Sequence, residues 1–289
     1  QLLGLGATGA LALPPFHLVF MMLPAITGLI WILNHTDDRR CAFGVGWSFG
    51  FGQGLVGYYW VSSAFLVDDV AHGVLAPFAV ASLAGGLAIF PAAAASIAWS
   101  LWRWWDPSPL ARILTFAALW AASEWLRASI LTGFPWNLTA TVWSFSPDML
   151  QATALVGPYG LGMITIAVAG LPAMFLFGDN PRVAMIGLGV GLVVLVDVWI
   201  VGYLRLSAAP TLAVDGVRLR LVQPNIPQHL KWRHELRVEH VRQQMRLSRG
   251  SDAAGVWPTH VIWAETAVPF NLSADVVLRQ VMASVVPED

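Results

Sequence analysis

The sequence predicts a polytopic α-helical membrane domain, residues 1–206, followed by the start of an α/β domain, residues 207–289. Three observations carry this. The 289 residues are 57% hydrophobic and only 11% charged, against about 25% charged in ordinary soluble domains. The charge is unevenly spread: 16 of the 33 charged side chains precede residue 207 and 17 follow it. Apolar runs of membrane-spanning length recur before that boundary, whereas short strand and helix patterns follow it.

Crossing a hydrocarbon core about 30 Å thick takes about 20 apolar residues. Seven stretches are predicted to do so: 2–13 (short), 16–33, 41–66, 73–101, 110–131, 151–177 and 183–206. The first has the length of a signal-peptide remnant. A membrane helix is preferred, because six more spans follow and no cleavage site is evident. The breaks fall at PPFH, NHTDDRR, VDDVAH, RWWDPSP, GFPWNLTATVWSFSPD and GDNPR. Arg39, Arg40, Arg103, Arg112 and Arg182 lie in or beside alternate breaks, and the intervening ones carry no Lys or Arg; one holds Asp68 and Asp69. The positive-inside rule puts the arginine loops in the cytoplasm and everything after 206 outside. Twelve of the 15 Trp precede residue 207, which fits an interfacial aromatic belt.

Two groups stand apart from that pattern. Glu124 and Arg127 are three apart on the fifth span and share a helical face. Charges in a bilayer pair with one another or line a cavity. They are read either as a pair that locks the bundle or as a polar rim that receives a lipid headgroup. Asp197 is unpaired in sequence and is read as structural.

After the boundary, Val217 to Val222 alternates as a strand does, and Pro224 and Pro227 turn it into a loop. Residues 233–249 form a charged amphipathic helix, THVIWA a second strand, and 273–283 a second helix. Strand–helix–strand order predicts parallel strands, and functional residues in such sheets favour the carboxyl ends. Glu265 stands there, expected half-buried, before a break at Pro269. Lys231, the single lysine, lies in the loop after the first strand, where a lysine is usually not catalytic. His229, His234 and His240 lack i,i+4 spacing, so no metal is expected, and no cofactor is called for. The lone Cys41 excludes an internal disulfide and a CxxC metal site. A net charge of −1 gives no reason to expect nucleic acid.

Four stretches resemble the apolipoprotein N-acyltransferase family: GFGQGLVGYYW (50–60), EWLRASILTGFPW (124–136), LVQPNIPQHLKW (221–232) and IWAETAVP (262–269). The resemblance implies a bacterial inner-membrane enzyme with a periplasmic, nitrilase-like α-β-β-α sandwich. It implies acyl transfer from a phospholipid, through a cysteine thioester, to the N-terminal amine of a diacylglyceryl-cysteine lipoprotein. Glu265 matches the family's general base. Trp232 matches a tryptophan that shapes the entrance, and Trp136 matches the tryptophan of GFPW, in a periplasmic loop; both are carried as substrate-binding. Ala264 departs from the family, which usually has Pro there. The family's lysine and cysteine are expected downstream of Glu265, where this chain has neither, so the chain is expected to be truncated and inactive alone. A transporter or lipid-handling protein with a small periplasmic cap is the alternative.

Overall fold

The computed structural model describes every residue except 66–72, 179, 209–212, 252–254, 266, 269, 271–272 and 286–289. The predicted acidic loop with Asp68 and Asp69, and the break at Pro269, lie outside the described residues. The chain divides into two compact units, Gln1–Ala209 and Pro210–Asp289.

The first unit is helical. Its elements are α1 (Leu2–Ala10), α2 (Met22–Asn34), α3 (Arg39–Gly57), α4 (Ala76–Leu87), α5 (Ile89–Trp105), α6 (Pro109–Ser129), α7 (Thr153–Gly170) and α8 (Pro181–Ala208). Polar side chains start two of them. Asp38 accepts the Cys41 N–H at 2.8 Å at the start of α3, and that bond holds the Asp38 carboxyl below the usual carboxylate range. Ser108 caps α6 ahead of Pro109, the residue best tolerated at a first helical position. Ile26, Leu29, Ile30 and Leu33 of α2 meet Phe49 of α3, Ile113 and Phe116 of α6, and Ile166 of α7 in the largest apolar core.

Among the described residues, three helical segments are long and apolar enough to cross a membrane: Gly73–Trp105, Thr153–Phe177 and Pro181–Ala208, of 33, 25 and 28 residues. Val19–Asn34 is a shorter apolar helix. The predicted span at 41–66 stops being α-helical at Gly57 and continues as a 3-10 stretch, Tyr59–Ala64. Glycine lets the helices touch. A Cβ on Gly52 would run into the Leu3 carbonyl, and one on Gly6 into the Phe49 carbonyl, so α1 and α3 meet backbone to backbone. In α7, Gly157 sits at φ 69° directly before Pro158. That pair breaks the helix, because only glycine is at ease there and proline supplies no N–H.

The second unit contains β1 (Leu219–Val222), α9 (Arg237–Ser248), β2 (His260–Trp263) and α10 (Val276–Ala283). β1 pairs parallel with β2, Leu219 opposite His260 and Val222 opposite Trp263. The intervening α9 makes this the expected strand–helix–strand unit. Val241 and Met245 of α9 pack with Val285, against Trp263 and Leu278. Trp263 Nε1 donates to Ser248 Oγ at 2.8 Å. Arg220 donates to the Ser248 and Arg249 carbonyls at the end of α9, where a cation favours the helix dipole.

Candidate active site

Parallel pairing brings the exits of β1 and β2 to the same edge. β1 delivers Gln223, Pro224, Asn225 and Ile226; β2 delivers Ala264 and Glu265. These residues, with Lys231, His240, Gln244 and Ala267, line a cleft of about 100 Å³. Asn225 has φ 51°, a left-handed conformation asparagine tolerates well. Two glutamines of α9 hold the loops. Gln243 Nε2 donates to the Pro224 carbonyl at 3.0 Å, and the fully buried Gln244 donates to the Ala267 carbonyl at 2.6 Å. Gln244 Oε1 is buried without a partner among the described residues.

Glu265 therefore stands where the strand pattern put it, but it is exposed rather than half-buried, because the cleft opens to solvent on its side. Lys231, discounted as a loop lysine, faces the same cleft. Its Nζ also lies 5.8 Å from the centroid of the Trp232 ring, within cation–π range. Trp232, half-exposed, stands beside the lysine rather than lining the cleft. His240, read from sequence as one of three unrelated histidines, is buried and lines it too. A carboxylate, an ammonium and an imidazole on one cavity can accept a proton and hold an anion. Among the described residues no cluster of three His, Cys, Asp or Glu could hold a metal ion.

In the first unit, the loop after α6 carries Trp136, half-exposed and 5.7 Å from the Phe134 ring. Glu124 and Arg127 hold that loop, and they do so separately; no ion pair joins them. Glu124 Oε1 accepts both the N–H and the hydroxyl of Thr139 at 2.9 Å. Trp120 Nε1 donates to the same hydroxyl at 3.1 Å. Arg127 donates to Tyr58 Oη at 2.8 Å and lies 5.9 Å from the Phe134 ring. Asn137 closes the loop onto the Gly57 carbonyl at 2.6 Å. Both charged residues are buried, and Glu124 Oε2 has no hydrogen-bond partner among the described residues. The cavity beside them, about 30 Å³, has room for one or two waters and not for a lipid headgroup. Asp197 is exposed on α8.

The first unit is thus a helix bundle with segments of membrane-crossing length, and the second offers an acid and a base at the ends of parallel strands. The family model for the apolipoprotein N-acyltransferase N-terminal domain matches residues 5–171. A protein named apolipoprotein N-acyltransferase from Caulobacter vibrioides is 40% identical over 268 residues, 91% of this chain and 48% of the relative. Relatives of the same name from Rhodopseudomonas palustris and Brucella melitensis are each 34% identical, over 98% and 93% of this chain and 54% and 52% of their own lengths. The chain belongs to the apolipoprotein N-acyltransferase family, and it spans about half the length of these curated relatives.

Proposed function

We propose that the chain is the membrane unit and the opening of the catalytic unit of an N-acyltransferase. The reaction moves an acyl chain from a phospholipid to the N-terminal amine of a diacylglyceryl-cysteine lipoprotein by way of a cysteine thioester. The observation that carries this reading is the cleft at the ends of β1 and β2, where Glu265 and Lys231 face one space in a chain of this family. Glu265 is the general base that takes the proton from the thiol and passes it to the leaving alcohol. Lys231 adds positive charge to the cleft in which the oxyanion develops. Trp232 and Trp136 contact substrate, each from its own unit. The thiol is not Cys41, which lies in the first turn of α3 on the arginine-bearing side. The chain spans about half the length of its relatives, and the thiol is assigned to the half that they carry in addition, within a nitrilase-like fold. The first unit crosses a bacterial inner membrane seven times, with the loop at 34–40 cytoplasmic and the second unit periplasmic.

The test is Glu265→Gln in the full-length protein, supplied with labelled phospholipid. Glutamine keeps the shape and cannot take the proton. General-base help is worth about 10²–10⁴-fold, so covalent acyl label should form that much more slowly while the protein stays folded. Thioester formation at the unmutated rate removes Glu265 from the mechanism.

A further inference from the structure

We propose that the arginine-bearing end of the first unit holds a binding site for an anionic phosphate group, that of a phospholipid headgroup in the adjoining leaflet. Three helix ends meet there. Asn34 closes α2, Arg103 and Asp106 lie at the end of α5, and Arg112 is in the first turn of α6. With Trp99 and Trp102 they line a cavity of about 300 Å³, large enough for a small ligand. Arg112 stands at the opposite end of α6 from the Trp136 loop, about 25 Å away by helical rise, so this cavity is separate from the one beside Glu124 and Arg127.

The charge and the donors both favour an anion. Arg103 and Arg112 face one acid, Asp106, which leaves one net positive charge. Arg112 is already committed: it donates to Asp106 Oδ1 at 2.6 Å, to the Pro107 carbonyl at 3.1 Å and to Asn34 Oδ1. Arg103 is not. Its Nη2 reaches the Asn34 and Thr36 carbonyls at 3.4 and 3.2 Å, while its Nε and Nη1 meet no acceptor among the described residues. Its guanidinium is positioned 5.5 Å from the Trp99 ring. The bond from Arg112 fixes the Asn34 amide with its oxygen toward the arginine, so its Nδ2 remains as a donor. Trp102, 3% exposed, lines the same cavity, and its Nε1 is buried without an acceptor among the described residues, a state that proteins rarely leave uncompensated. Trp104 and Trp105 beside it are 84% and 66% exposed. Exposed tryptophans mark the membrane–water interface, the depth at which lipid phosphates lie.

The experiment uses the full chain in a maltoside detergent free of phosphate. Calorimetric titration with a soluble short-chain phosphatidylglycerol is compared with titration of inorganic phosphate. Saturable binding of the lipid is expected. Arg103→Gln and Asn34→Asp should each weaken it about tenfold or more, because each removes a hydrogen bond to a charged group. Asn34→Asp keeps an acceptor for Arg112 and so guards against loss of fold in the arginine variant. Arg40→Gln removes an equal charge outside the cavity and should change affinity less than twofold. Lipid binding tenfold or more above phosphate assigns the site to a headgroup; equal affinity with mutual competition assigns it to free phosphate. Absence of saturable binding by either probe, or affinity unchanged in Asn34→Asp, overturns the proposal.

Discussion

At the scale of single residues, the sequence identified Glu265 because an acid directly follows an apolar strand run. Lys231 and His240 were not legible in the same way. They are 34 and 25 residues from Glu265 in sequence, and only the parallel pairing of β1 with β2 brings them to its cleft. The i,i+3 spacing of Glu124 and Arg127 puts them on one helical face, read either as a locking pair or as a polar rim for a lipid headgroup. The structure gives Glu124 to Thr139 and Arg127 to Tyr58, partners set by how a loop folds back and invisible to helical spacing. This makes a prediction. Glu124→Gln keeps an oxygen for Thr139 and should cost little stability. Glu124→Leu strands a buried N–H, and should cost about 1–3 kcal/mol more than the Gln variant. Thermal unfolding in detergent reads the difference, and equal midpoints for the two variants would refute the role given to the Thr139 bonds.

At the scale of elements, the apolar runs located the helices of the first unit but overran the ends of α1 and α3. Hydropathy continues past Gly57, whereas the α-helix stops there, and Asn137 from a distant loop donates to the Gly57 carbonyl that the helix end leaves open. Asp38 and Ser108 cap α3 and α6. Contact between helices depends on glycines that a hydropathy reading passes over. Gly52→Leu should drive side-chain atoms into the Leu3 backbone and lower stability by about 1–3 kcal/mol, the usual range for overpacking. Gly44, on the same helix, has nothing within 4 Å of an added Cβ, so Gly44→Leu should unfold at the parent temperature. A similar drop in both would show that the α1–α3 contact does not set the effect, because leucine is the better helix former and propensity alone would raise stability at either position.

At the scale of the whole molecule, the division between an apolar and a charged stretch was readable from composition alone, because hydrocarbon and water make opposite demands on surface residues. The proposed sides of the membrane rest on loop charge. A phosphatase that folds only outside the cytoplasm, fused after Ser207, should be active, and one fused after Asp38 inactive; the reverse pattern would invert the proposed topology. One feature of α8 reaches beyond this protein. Only Ala184, Gly191 and Gly202 of its 28 residues are buried, and a Cβ on Gly202 would meet the Asp148 carbonyl. Most of its other side chains face the surroundings, where a lipid tail treats Leu, Ile and Val alike. A saturation library should accept any aliphatic residue at Val190, Leu192 and Val193 and only small ones at the three buried positions. Descent should therefore erase the letters of this helix faster than its oiliness. A distant cousin would be recognised there by three small residues set seven and eleven apart, both close to whole numbers of helical turns.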